Sequence, residues 1–247
     1  MEVVPGIRRL GKGLINVYLL EEAGAVTIVD AGAPGYYPRH LSAELAAMGR
    51  TLADVRAVVL THAHSDHLGF AERIRRERHV PVRIHEADAA LARGEVKPDR
   101  DPAAPGLRAI RPLPLLGFLV YATRLGAMRT PSVLEVATFG DGATLDVPGA
   151  PRVVLVPGHT SGNAALVVPT RDAVFVGDAL ATRNVLSGSI GPQLAPFGAN
   201  LAQAFDSLAR LDGVEARYVL PGHGQPWTDG LASALVRVRE RGRPASH

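Results

Sequence analysis

Two rhythms of apolar and polar positions alternate along this chain. Runs rich in Val, Ile and Leu recur at 15–20, 25–29, 55–60, 80–84, 133–138, 143–147, 152–156, 164–168, 173–177 and 217–220. Such compact, β-branched runs predict buried strands. Glu22-Ala23-Gly24 reads as the turn of a hairpin joining the first two. Between the strands the spacing turns helical. Leu41, Leu45 and Met48 share one face over 38–48, and Phe70 and Ile74 share one over 67–77. Further helices are predicted at 86–91, from about 115, at 199–211 and at 230–241. Residues 94–112 hold Pro98, Pro102, Pro105 and Pro112 and read as loop. Both halves of the chain therefore mix strands with helices, an α/β (α+β) pattern without low-complexity segments or a clear internal repeat.

The chemistry gathers where predicted strands end. His62-Ala63-His64-Ser65-Asp66-His67 follows the run 55–60 and packs four potential metal ligands into six residues. Three later strands each end in one more: His159 after 153–158, Asp178 after 173–177 and His223 after 218–222. A single histidine is more often a surface or hydrogen-bonded core residue than a ligand. The density at 62–67, repeated at three further strand ends, is not explained that way. If the four strand ends meet, five imidazoles and two carboxylates converge. One zinc ion takes about four ligands, so seven side chains suit two ions with a bridging carboxylate, roughly 3.5–4 Å apart.

These motifs resemble the metallo-β-lactamase-fold hydrolases over nearly the whole length. They stand in the family's order: Ile28-Val29-Asp30-Ala31-Gly32, His62-x-His64-x-Asp66-His67, Gly158-His159-Thr160, Gly177-Asp178 and Pro221-Gly222-His223-Gly224. The resemblance implies a four-layer αββα sandwich. It places one metal on His62, His64 and His159 and the other on Asp66, His67 and His223, bridged by Asp178. It also implies that Asp30 braces the metal loop, although Asp-Ala-Gly after a strand is ordinary turn chemistry too. Two divalent ions are expected, zinc first, with iron and manganese compatible with an all-nitrogen-and-oxygen site.

Composition narrows the setting. The 247 residues include no cysteine and are 47% hydrophobic. They are read as one domain, 1–247, with a lid insertion at about 94–128. A cysteine-free chain fits a reducing compartment, and residues 1–10 lack the apolar core of a signal peptide, so a cytoplasmic location is expected. No run approaches the ~20 apolar residues of a membrane span. Net charge is +3, and all 27 basic residues except Lys12 and Lys97 are arginines. Their small groups at 73–78 and 237–243 read as solvated helix faces, not as a nucleic-acid surface. The oligomeric state stays open, a homodimer among the choices.

The implied reaction is hydrolysis of an ester-, lactone- or thioester-like bond by a metal-bound hydroxide, with Asp66 as both ligand and catalytic acid or base. A small-molecule substrate is expected. Several subfamilies fit poorly. Asn163 stands where glyoxalase II enzymes usually carry histidine, and the chain ends 24 residues after His223. Ala181 occupies the position of the lactonases' tyrosine. Asp178 and the lack of cysteine argue against a true β-lactamase, and His64 against the flavodiiron pattern. The alternatives are a mononuclear iron enzyme like the persulfide dioxygenases, or a phosphodiesterase or nuclease. The apolar stretch with Phe118 and Leu119 is a lid that favours hydrophobic substrates, a core helix or a dimer contact. Arg183 is either a substrate-binding cation or a solvent-facing loop residue.

Overall fold

A computed structural model describes residues 1–101 and 110–244. Pro102 and Pro105, read as loop from the sequence, lie outside the described residues. The first sheet keeps chain order: β1 (Glu2–Val4), β2 (Ile7–Leu10), β3 (Val17–Glu22), β4 (Ala25–Val29), β5 (Val55–Val59), β6 (Val82–His85) and β7 (Ala137–Phe139). Strands β1 to β4 are antiparallel, and β4 to β7 run parallel. Helices α1 (Arg39–Ala46), α2 (Ser65–Leu68), α3 (Ala71–Arg78), α4 (Ala89–Ala92) and α5 (Pro112–Arg124) lie between these strands in the chain. The second half begins with β8 (Arg152–Leu155), β9 (Ala164–Val168) and β10 (Ala173–Gly177). Strands β11 (Ala181–Arg183) and β12 (Ile190–Gln193) form a separate ribbon. Strand β13 (Tyr218–Pro221) then returns beside β10, giving the order β13-β10-β9-β8. Helices α6 (Leu201–Ser207) and α7 (Leu231–Glu240) flank it in the chain.

The side-chain pattern explains the layers. On β10, Ala173 and Phe175 point into an inner core shared with Tyr18, Val29 and Val59 of the first sheet, while Val174 and Val176 point outward. Those outward residues pack with Leu231, Leu235 and Val238 of α7. The opposite face of the first sheet, through Val26, Ile28 and Val58, packs on Leu41 and Leu45 of α1 and Ile74 of α3. The layers run helix, sheet, sheet, helix, as the family resemblance implied. Both faces of each central strand are covered, which is why these strands read as continuous apolar runs instead of alternating ones. The Tyr18 and Phe175 rings meet across the sheet interface at 5.3 Å. Cutting Phe175 to alanine there costs about 3–5 kcal/mol.

Several elements differ from the sequence pattern, each for a local reason. The predicted helix over 67–77 breaks into α2 and α3 at Gly69. A Cβ there would sit 2.0 Å from the Gly32 carbonyl oxygen, so the backbone approaches too closely for a continuous helix. The strand predicted at 143–147 shrinks to a single bridge between Thr144 and Arg152. Pro148 has no N–H to donate, and Gly149 and Ala150 adopt positive φ, turning the chain back. Over 133–138 most of the strand is lost, because Val133 donates its N–H to Ala92 and Leu134 donates to the Glu72 carboxylate. Helix α5 starts at Pro112, earlier than expected, since proline's fixed φ suits a first helical turn. Strands β1 and β2 were hidden because polar Glu2, Arg8 and Arg9 interrupt their apolar residues. The hairpin is as read: Ala23 and Gly24, both at positive φ, make its two-residue turn. In the two basic groups Arg73 pairs with Glu77, Arg239 with Asp212 and, past the end of α7, Arg243 with Asp206, all at the exposed surface.

Candidate metal centre

Parallel pairing brings the C-terminal ends of β4 and β5 together, and that of β10 beside β13. The residues just past those ends, with the one past β8, meet where the two sheets join. His62 and His64 follow β5, and His64 caps α2, whose single turn carries Asp66 and His67. His159 follows β8, Asp178 follows β10 and His223 follows β13. All seven predicted residues converge. His62 and His159 rings lie 4.8 Å apart, and His64 and His159 rings 4.6 Å. Asp178 is the hub. Its Oδ2 lies 3.2 Å from His159 Nε2 and 3.3 Å from His223 Nε2, and its Oδ1 lies 3.7 Å from His67 Nε2. Asp66 Oδ2 is 3.3 Å from His223 Nε2.

The donors are those a divalent ion needs. Three groups bring one ligand atom from each member within 4.8 Å of the others: His62, His64 and His159; His62, His67 and Asp178; and Asp66, His67 and His223. Among the described residues, His62 Nε2, His67 Nε2 and Asp178 Oδ1 are buried without a hydrogen-bond partner. A buried polar atom left unpaired costs about 1–3 kcal/mol, so unpaired donor atoms at one spot fit a site built for cations. Three of the histidines, His67, His62 and His223, are anchored from behind through Nδ1. His67 Nδ1 sits 2.9 Å from Asp30 Oδ2, His62 Nδ1 sits 3.1 Å from Thr61 Oγ1, and His223 Nδ1 contacts the Leu14 carbonyl. Fixing one ring nitrogen points the other inward.

Electrostatics match. Burial, with the neighbouring imidazoles of His67 and His159, holds His62 well below its ordinary pKa. Burial pushes His159 down to about 3 despite Asp178. Burial also opposes charge on His67, but Asp30 and Asp178 prevail and raise it to about 9. His223 is raised well above its usual value, because Asp178 and Asp66 outweigh burial. Burial pushes the Asp178 carboxyl up, yet the imidazoles of His223 and His159 hold it well below the usual range. The metal-free centre therefore mixes neutral imidazoles, His62 and His159, with protonated ones, His67 and His223, and with ionised carboxylates.

A model of the metallo-beta-lactamase superfamily matches residues 10–223. The chain belongs to the metallo-beta-lactamase superfamily. Among its relatives, it is 25% identical to "Probable metallo-hydrolase YflN" of Bacillus subtilis (strain 168), covering 97% of this chain and 92% of that protein. It is similar in structure to the metallo-beta-lactamase family protein TTHA1429 of Thermus thermophilus. That likeness has a TM-score of 0.67 and 26% identity, over 96% of this chain and 78% of the other. TTHA1623, solved in a di-iron-bound form, aligns at a TM-score of 0.60 and 29% identity, over 92% and 96% of the two chains.

In this superfamily member Asp30 does more than turn the chain. Its Oδ1 accepts from Thr61 N at 2.8 Å while its Oδ2 faces His67, so one carboxylate binds the start of the metal loop to its end. The Phe118 ring stands 6.3 Å from the His223 ring. Leu119 is mostly turned outward, and Arg183 lies half-buried on β11. Sequence reasoning missed Asp88. Its buried carboxylate accepts from Ala63 N at 2.9 Å, Thr160 Oγ1 at 2.8 Å and Gly162 N at 2.6 Å. It thus joins the 62–64 loop to the 159–162 loop. The signal was present, since Asp88 follows the end of β6 much as the ligands follow theirs. Asn163 also went unrecognised: its Oδ1 accepts from Asp178 N at 3.2 Å. A cleft of about 80 Å³ opens beside His64 and His159, walled by Ala87, Leu91, Val96, Lys97, Thr160 and Ala199.

Proposed function

We propose that this chain is a dinuclear metal-dependent hydrolase of an ester-, lactone- or thioester-like bond, read as a single domain with a lid insertion at about 94–128, of which 102–109 lie outside the described residues. The observation that carries it is the convergence of seven ligand-type side chains on Asp178, with inward donor atoms left unpaired. His62, His64 and His159 would hold one ion, and Asp66, His67 and His223 the other. Asp178 lies between the two groups, with Oδ2 beside both His159 and His223 and Oδ1 beside His67, and would be shared by both ions. Bound ions supply a water acidified toward neutrality and a polarised carbonyl. The protein's own share is positioning and proton handling. Asp30 holds His67 with Nε2 free, and the Leu14 carbonyl fixes His223 with Nε2 turned toward Asp66 and Asp178. Asp66 is ionised: burial raises its carboxyl, but the hydrogen bond and charge of His223 bring it below the usual range. A carboxylate oxygen of Asp66 would take a proton from the attacking water and deliver it to the leaving group.

The likeness to a protein named as a probable metallo-hydrolase supports hydrolysis. Zinc is the metal we assign first, and the di-iron form of TTHA1623 supports iron as the alternative. Phe118 near His223, with Leu91 and Val96 in the cleft wall, supports a substrate with an apolar part. Leu119 would meet only the outer portion of such a substrate, and Arg183 a terminal anion. A cytoplasmic location accords with the absence of cysteine. The test is metal quantification of purified protein, followed by a panel of esters, lactones, thioesters and phosphodiesters. Two ions per chain and cleavage of carboxylic esters, thioesters or lactones are expected. One iron per chain with oxygen uptake, or cleavage of phosphodiesters alone, would overturn the reading.

A further inference from the structure

Helix α5 is apolar on both sides. Phe118, Tyr121 and Leu125 pack against the core of the first sheet, and Ala122 is buried within it, at helical spacing. The opposite stripe faces outward: Leu113 is 82% exposed, Leu116 58% and Val120 41%, with Leu119 at 39% beside them. A surface helix ordinarily turns charge to water, and a helix apolar all round is covered by something.

The surroundings indicate what covers it. Residues 110–134 contain three arginines (Arg111, Arg124 and Arg129) and no acidic residue, whereas the whole chain has 24 acids against 27 bases. Arg111 and Arg124 stand at the two ends of α5. Among the described residues no carboxylate pairs with Arg111, Arg124 or Arg129. Elsewhere some arginines hold one, Arg8, Arg50, Arg75 and Arg210 among them, and others do not, so it is the lack of any acid along this stretch that sets it apart. An apolar stripe bracketed by unneutralised arginines matches a surface that is oily inside and anionic outside. A second copy docking through the same face would set these like charges against each other.

We infer that α5 seats the protein on anionic lipid bilayers, lying in the interface with Leu113, Leu116 and Val120 inserted among the acyl chains. The helix is too short to span, and no described helix is long and apolar enough to cross a membrane. Its inner face carries Phe118 toward His223, so the bilayer would lie about one helix diameter, ~10 Å, from the metal centre. This inference concerns binding and stands apart from the hydrolase reading.

The experiment is sedimentation with vesicles of phosphatidylcholine alone, or with about one-third phosphatidylglycerol, scored by bound protein and not by activity. Wild type is expected to bind the anionic vesicles and to release as salt rises. Leu113→Gln/Leu116→Gln/Val120→Gln should abolish binding. Arg111→Gln/Arg124→Gln should weaken it about thirtyfold, from roughly a fivefold contribution per arginine at an anionic surface. All five side chains lie at the surface, and an unchanged Tm shows that each variant is folded. The second variant tests the idea independently should the first lose its fold. Absent binding, equal binding to neutral vesicles, or binding that survives both variants overturns the inference. So does a lipid-free dimer that the leucine variant dissociates, when it shows no vesicle binding.

Discussion

Asp88→Asn separates a structural tie from an accidental contact. In the folded protein the Asp88 Oδ2 serves Ala63 N and Thr160 Oγ1, and Oδ1 serves Gly162 N. An amide keeps one acceptor oxygen. Turned either way, its NH2 confronts at least one backbone N–H, which stays buried and unpaired at a cost of about 1–3 kcal/mol. The surviving bonds also lose a charged acceptor, worth roughly another 1 kcal/mol. The sum, about 2–4 kcal/mol, is a large part of a typical total stability of about 5–15 kcal/mol. At roughly 2–4 °C per kcal/mol for a chain of this size, Tm of the metal-free protein should fall by about 5–15 °C. Asp88 holds the loops of His62, His64 and His159 but not those of His67 or His223. Metal affinity should therefore drop about 10–100-fold at one site only. Asp30→Asn should weaken the His67 site more, because Asp30 contacts His67 directly and reaches His62 only through Thr61. Calorimetry of metal-free protein and zinc competition against a chromophoric chelator measure both. An Asp88→Asn variant that melts within a degree of the parent and keeps both affinities would refute the argument.

His64→Ala and Asp178→Ala should each abolish turnover and lower bound metal, and full activity in either variant contradicts the assignment. Metal uptake at pH 7 should release protons, since His67, raised to about 9, and His223, raised well above its usual value, are protonated without metal. Apparent affinity then falls as pH falls, and the proton release shrinks as pH climbs through about 9. Titration calorimetry in two buffers of different ionisation enthalpy reads it, and zero release would count against the pKa assignments. Polarising Phe118 and Leu119 with serine should raise KM for long-chain esters more than for short ones; equal effects would remove the lid from substrate recognition.

The elements that the sequence revealed best are those whose neighbours leave them little choice. Strand β10 is predicted to the residue, because Ala173 through Gly177 are buried on both faces and no polar position blurs the run. Strands β1 and β2 lie near the edge of the sheet, and arginines occupy positions that a central strand would give to valine. Gly69 marks a different failure. Periodicity carried the helix through it, since a helical pattern registers which faces are apolar and not how closely another backbone approaches. The carbonyls of Ala31 and Gly32 that exclude a Cβ there are more than thirty residues away in the chain.

The same distinction divides the metal centre. Its seven candidate ligands were legible because metal chemistry demands particular side chains, and these stand in a tight group and at strand ends. The groups that hold them have no such demand on identity. Leu14 anchors His223 with a backbone carbonyl, which any residue supplies, so no residue type could have flagged it. Asp88 does use its side chain, but the hydrogen bonds that define it run to Ala63, Thr160 and Gly162, up to 74 residues away. In the sequence it sits inside a predicted short helix, where an aspartate needs no special explanation. A ligand is recognisable from its chemistry alone. A brace becomes recognisable only when the fold has brought its partners together, which is why Asp88→Asn probes the architecture of the centre more sharply than removal of any ligand.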